Sequence, residues 1–321
     1  MKKQKRIMDI LSFLIIILVI VLLLVNINST VVSSKNAMIM WFNNVVPNMF
    51  PFMFFTSLLS FGNSFSFLIN TIGKVFYKLF KAPLISGYIY LMSLLCGYPT
   101  GANLVGIFIN KGMITQKQGN KILSFCSQSG PVFIVGTVGV CFNKSVKIGF
   151  IILSIHLISS IICGLIFRNF MIEKQNCISV NFVQNSDNVL YESMNKAVNN
   201  VLIVGGFIII FSIFIDLVLS LKFTSELFCN LGNLLSLSPE SIKAIFIAFM
   251  EITSGMKALS MTNLNSDILI ILSSTLISFG GVSILTQTFA MSNIKKGTYL
   301  LTKLTHTFLT LILAIFYTKI F

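Results

Sequence analysis

The sequence predicts an all-α polytopic membrane protein. It has two inverted repeats, each running helix, interfacial helix, re-entrant hairpin, broken helix and closing helix, after an N-terminal signal-anchor helix. Three observations predict this. Hydrophobic residues are 55% of the chain and charged residues 10%, against roughly 25% charge in soluble domains, and mean hydropathy is +0.91. Continuously apolar runs of bilayer length recur, and they do not alternate as barrel strands do, so they span as helices that satisfy their own backbone. Motifs of the first half also return in order in the second.

The elements follow in chain order. Basic residues precede an apolar run from Ile7 to Val25, and no small-x-small cleavage site follows it. Residues 1–36 therefore read as an uncleaved anchor with a cytoplasmic N-terminus. Repeat one covers 37–168, a polar cytoplasmic linker covers 169–196, and repeat two covers 197–321. Asn43-Asn44-Val45 lies over Asn199-Asn200-Val201. Thr100-Gly101 lies over Ser254-Gly255 and Ser124-Phe125 over Ser278-Phe279, both at an offset of 154 residues, and His156 lies over His306 at 150. Order and offset together mark an internal repeat.

Each half opens with a helix, 37–60 and 198–220. A short segment follows. In half one Leu68, Ile72, Val75, Phe76, Leu79 and Phe80 have helical spacing, with Lys74, Lys78 and Lys81 opposite, as in an amphipathic interfacial helix. Its counterpart is 222–240. Broken segments follow at 84–110 and 241–262, interrupted helices at 120–140 and 269–291, and closing helices at 148–167 and 298–319. Gly136 and Gly139 suit close helix packing.

Cations flank 84–110 on both sides, with Lys74, Lys78 and Lys81 before it and Lys111, Lys117 and Lys121 after it. With both flanks cytoplasmic, the segment dips in and returns. If both broken segments are hairpins, only Lys35, Lys144, Lys147, Lys222, Lys243, Lys257 and Lys319 of the 23 cations fall outside. That bias has the sign a cytoplasmic N-terminus requires. The chain then has seven spans and an external C-terminus. Three crossings per half turn one half upside down relative to the other. Inverted repeats with discontinuous helices at the midplane are typical of secondary transporters.

Irregular backbone at membrane depth persists where it is buried in protein or lines a polar cavity. Its freed N–H and C=O groups can hold anions and cations respectively. Hairpin one offers Gly97, Tyr98, Thr100, Gly101 and Asn103 at its break, and the helix after it offers Ser127, Gln128 and Ser129 before Gly130-Pro131. Hairpin two offers Glu251, Thr253, Ser254 and Gly255, and the helix after it offers Ser278, Ser283 and Gln287. Hydroxyls and amides suit a small, neutral, polar solute. A sodium site near Thr100, Ser127 and Gly130, or a coupling proton, would complete a transporter. Glu251 would bind a solute hydroxyl, a sodium ion or the proton, or else bond the opposite hairpin or Lys257; a carboxylate at that depth is costly and tends to be functional. Asp216 reads as a satisfied interface residue. His156 and His306 fit either a proton relay or a packing pair.

Other classes are set aside. The net charge of +14 is scattered between apolar runs and forms no basic face, so nucleic acid is not a partner. The six cysteines show no CxxC and read as packing residues. No His-Glu metal motif and no Ser/Lys or Asp pair at apolar depth suggests catalysis, so the chain is read as a non-enzyme. Its partners are the lipid bilayer, a small polar solute, and a second copy or other membrane proteins.

The runs "GYPTGANLVGIFINKGMIT", "LSFCSQSGPVFIVGTVGV", "FMEITSG" and "SFGGVSILTQ" resemble the membrane proteins carrying the nucleoside-recognition (Gate) domain, and within them the YlbJ-like sporulation integral membrane proteins. The resemblance covers about residues 37–320. It implies a core like that of concentrative nucleoside transporters. By position, Thr100, Asn103, Gln128 and Ser129 would face one end of a solute, and Glu251, Thr253, Ser254 and Ser283 the other. It also implies a role in endospore formation, in the bacterial cytoplasmic membrane or the mother-cell and forespore membranes, as a transporter or as a non-transporting assembly or signalling protein. The substrate does not follow, because fold does not fix function.

Overall fold

A computed structural model describes residues 2–59, 61–170 and 188–320, and among these all regular structure is helical. The linker stretch 174–188 lies almost wholly outside the described residues.

α1 (Lys2–Val25) leaves its apolar residues exposed from Ile10 onward, as a lipid-facing helix does. At Asn26 the chain bends into α2 (Ile27–Met40), which passes through a π-helical turn at Trp41–Val45 into α3 (Val46–Leu58). Residues 26–36, read as part of the anchor, form from Ile27 a second helix bent away from α1. Their hydroxyls suit a helix: Ser34 Oγ donates to the carbonyl of Thr30 at 2.8 Å, and Ser33 Oγ lies 2.9 Å from that of Ser29. A polar stretch thus satisfies itself inside a helix, and its Ala37 and Met40 pack on Val204 and Ile208.

α4 (Gly62–Phe80) lies at 99° to α5 (Ile85–Cys96). It buries Phe65, Ile69 and Phe80, while Lys74 and Lys78 are exposed; Val75 and Leu79, expected on the apolar face, are exposed too. α5 stops at Gly97, and α6 (Thr100–Asn110) begins after Pro99. Thr115 and Gln118 form a capping box that starts α7 (Gln116–Cys126). Ser127–Pro131 interrupts the segment before a π-helix at Val132–Phe142. α8 (Val146–Ile166), capped by Ser145, closes the half. It lies against the π-helix where Gly139 meets Gly149.

The second half repeats the order. α9 (Val189–Leu219) is the long first helix and runs back through 189–196, into the expected linker. α10 (Lys222–Leu235) takes the place of α4. Both end on a left-handed residue, Lys81 and Ser236, whose N–H bonds the carbonyl four residues back. α11 (Pro239–Met250) and α12 (Ile252–Ser260) form the second broken segment, and α13 (Ser266–Phe279) and α14 (Gly281–Met291) the second interrupted helix. α15 (Lys296–Ile320) closes the half and packs along α13 and α8.

By length and apolarity, Val146–Asn169, Val189–Leu219, Ser266–Met291 and Lys296–Ile320 can each cross a bilayer. Two bent pairs, Phe13–Val25 with Ile27–Leu58 and Phe65–Phe80 with Ile85–Cys96, raise the number to six. Seven were expected. One difference lies at 120–140, which is two pieces of 11 residues each, because Gly130-Pro131 breaks the ladder, while Phe65–Phe80 with Ile85–Cys96, expected as an interfacial helix and a hairpin arm, enters the six instead. The anchor and first helix, counted as two spans, are here one pair bent by 93°.

Candidate functional site

The breaks of each half pack against each other. A methyl on Gly97 would sit 2.6 Å from the Gly130 nitrogen, so the break of the first hairpin abuts that of the helix after it. In the second half Gly281, with φ of +79°, lies beside the carbonyls of Ala248, Phe249 and Met250. Hairpin two folds tightly, with Gly255 against Ala248. Gly101 sits beside Cys126 O and Ser93 Oγ, and Ser93 Oγ also donates to Cys126 O.

The two halves then cross at these breaks through one buried polar network. Tyr98 Oη donates to Ile277 O at 3.4 Å. Ser127 Oγ and Tyr299 Oη are 2.7 Å apart. Lys303 Nζ donates to Ser127 O at 2.9 Å and to Tyr98 Oη. His156 Nε2 accepts from Ser129 N at 3.0 Å, and its Nδ1 lies 2.8 Å from Ser278 Oγ. Thr310 Oγ1 lies 2.9 Å from Ser278 Oγ and 2.7 Å from Ser159 Oγ, within hydrogen-bond reach of both. The His306 ring lies 5.0 Å from that of His156, with Nε2 3.0 Å from Ser159 Oγ. Gln128 Oε1 accepts from Ser160 Oγ at 3.2 Å, and its Nε2 is buried.

Gly97, Tyr98, Gly101, Ser127, Gln128, Ser129, Gly130 and Ser278 are therefore gathered in one place. The other expected residues lie elsewhere. Glu251 caps its own helix, accepting from Thr253 N at 2.9 Å and Ser254 N at 2.7 Å. It faces neither the opposite hairpin nor Lys257 through any hydrogen bond among the described residues. Ser283 accepts from Gln287 Nε2 at 3.2 Å within α14, and Gln287 Oε1 is buried without a partner. Asp216 accepts from Ser33 Oγ.

Thr100 and Asn103 line a cavity of about 250 Å³ between hairpin one, α3, α4 and α9, with Asn199, Asn200, Lys111 and Lys196 on its wall. The Thr100 hydroxyl is buried beside the Cys96 thiol. Asn103 Nδ2 donates to Asn200 Oδ1 at 3.2 Å. Ser254 lines a second cavity of about 180 Å³, between hairpin two, α2 and α9, with Ser33, Ser212, Asp216 and Lys257. Each cavity is lined by one hairpin.

Sequence reasoning placed Lys303 among the cytoplasmic flanking cations. It is 2% exposed and lies inside the protein. Lys121, counted with it, is equally buried and donates to Arg168 O at 2.8 Å. A signal for Lys303 existed. Tyr299, Thr302, Lys303, His306 and Thr310 recur at three- and four-residue spacing, a polar stripe on an otherwise apolar helix, and all five are buried. Lys303 also supplies the Ser/Lys juxtaposition that the sequence did not suggest, with Nζ 3.5 Å from Ser127 Oγ.

His156 joins the two halves through both ring nitrogens. His156→Leu leaves the Ser129 N–H buried without an acceptor, which costs about 1–3 kcal/mol. The variant is expected to melt several degrees lower in lipid nanodiscs, and His156→Gln, which keeps an acceptor, is expected to lose less.

The chain is similar to the sporulation integral membrane protein YlbJ of Bacillus subtilis (strain 168), 25% identical over 279 residues that take in 79% of this chain and 68% of that protein. No family model and no solved structure matches the chain. It is an integral membrane protein related to a sporulation membrane protein.

Proposed function

We propose that this protein is a secondary transporter-like membrane protein that binds a small polar, nucleoside-like solute beside its broken hairpins, in the service of endospore formation. The observation that carries the reading is the pair of polar cavities. Thr100 and Ser254 sit at repeat-equivalent positions, each at the start of the second helix of its hairpin, and each lines a cavity whose far wall is α9. Two cavities related by an inverted repeat are what alternating access uses, since opening one side closes its mirror image. The first cavity offers the hydroxyls of Thr56, Ser57 and Thr100, three amides and the ammonium groups of Lys111 and Lys196 on an otherwise apolar wall, the chemistry of a pocket for a small polar solute. The sporulation role rests on the YlbJ similarity.

A specific observation favours the second reading, a non-transporting assembly or signalling protein. Where the two halves cross, Ser127, Ser129, Ser278, Tyr98 and His156 hydrogen-bond to one another and to the closing helices. Such a network serves rigidity as well as binding.

Thermal shift in nanodiscs separates the two. Nucleosides, nucleobases and amino acids are screened against the wild type. A ligand at about 100 times its Kd adds roughly 2.7 kcal/mol. The expected result is stabilisation by one solute class, lost in Thr100→Val and Asn103→Ala, both of which are expected to fold. Melting unmoved by every solute would leave the assembly reading standing. Glu251→Gln is the wrong probe, because it weakens a helix cap.

A further inference from the structure

We propose that Lys303 is a built-in cation: its ammonium fills the oxygen cage at the end of α7, the place a bound sodium ion would otherwise take. The cage is made by the break itself. α7 ends at Cys126, and Ser127 follows as its cap, so the Ser127 carbonyl is at the negative end of a helix dipole with no continuing helix to bond it. Three oxygens converge there: Ser127 O, Ser127 Oγ and Tyr98 Oη. Lys303 Nζ lies 2.9 Å from the first and 3.5 Å from the second, donates to the third, and stands 4.3 Å from the centroid of the Tyr98 ring. A neutral carbonyl, two hydroxyls and a ring face are cation ligands.

An ammonium buried at 2% exposure is costly unless something compensates it. Among the described residues no carboxylate does so. Glu251, the buried carboxylate of hairpin two, is taken up by α12. The compensation is therefore the oxygen cage, and charge and cage belong together. A nucleophilic role for Ser127 does not fit, since its Oγ is 2.7 Å from Tyr299 Oη and the ammonium points its closer bond at the carbonyl.

The site occurs once. At the repeat offsets of 154 and 150 residues, Tyr98, Ser127 and Lys303 correspond to Ile252, Gly281 and Leu153. Half two has neither ligands nor cation. A purely architectural pair would be free to appear in both halves, whereas a cation centre is needed only in one. The ammonium comes from half two and its ligands from half one, so the contact ties α15 to both breaks of the first half.

The test needs no solute, so its failure is distinct from failure of the transport reading. Protein in neutral-lipid nanodiscs is melted in sodium, potassium or choline chloride at equal ionic strength. The wild type is expected to melt alike in all three. Lys303→Ala empties the cage, so it is expected to melt lower in choline and to recover several degrees in sodium or ethylammonium. Lys303→Met, which keeps the stem volume, is expected to melt lower with a smaller recovery. A sodium-specific rise in the wild type would overturn the proposal. So would a Lys303→Ala protein that folds and melts identically in every cation. Should neither variant fold, the wild-type comparison decides alone, with equal melting upholding the built-in cation.

Discussion

Gly97→Ala is expected to remove most folded protein from the membrane. Gly97 ends α5 at φ +70° and ψ −162°, a region that only glycine occupies without strain. The added methyl would also lie 2.6 Å from the Gly130 nitrogen and 3.2 Å from its Cα, both main-chain atoms of the neighbouring break. Strained backbone costs about 1–3 kcal/mol and overpacking about 1–3 kcal/mol more. The sum approaches the whole stability of a small protein, about 5–15 kcal/mol. The two costs share one origin, because moving the methyl away from Gly130 means moving the break that seats Tyr98 under Lys303. Fluorescence-detected size exclusion after mild solubilisation checks it. A monodisperse Gly97→Ala peak at wild-type yield and melting temperature would show that the two breaks do not pack as described.

Gly255→Ala is expected to have the second large effect, for a different reason. Gly255 lies inside α12 with ordinary helical backbone, so alanine there is otherwise favoured by about 0.5–1 kcal/mol. Packing reverses the sign. The methyl would fall 2.0 Å from the Ala248 Cα and 2.3 Å from its Cβ, on the facing helix of the hairpin. Main-chain atoms cannot rotate away, so α11 and α12 must separate along their length. That places the cost at or above the top of the usual overpacking range of about 1–3 kcal/mol. Gly206→Ala is the matched control, since a methyl on that residue of α9 meets nothing within 4 Å. Melting temperatures in one nanodisc preparation are expected to rank Gly206→Ala at or above wild type and Gly255→Ala far below. Equal melting of the two would mean that hairpin two is open.

The same residues show what could be read in advance. Gly97, Pro99, Gly130 and Pro131 announce broken helices because they alter the backbone at their own position, whatever surrounds them. The helix α4 was legible from its spacing, although Val75 and Leu79, expected on its buried apolar face, are exposed. Residues 26–36 were read as part of one anchor, whereas the chain bends at Asn26 and continues as α2, with hydroxyls that bond back into the helix. Glu251 drew attention as a lone carboxylate, and the fold uses it to cap α12.

By itself, then, the sequence determined the solvent, the helical class, the order of elements and the places where helices break. These follow from composition and backbone preference, which act within a few residues. Only the tertiary structure decided that Lys303 meets Tyr98 and Ser127, that His156 spans both halves, and that the polar cavities lie each against one hairpin. Those meetings depend on the rotation and depth of one helix against another. Such quantities are set by the packing of whole apolar faces, and no local stretch of sequence encodes them.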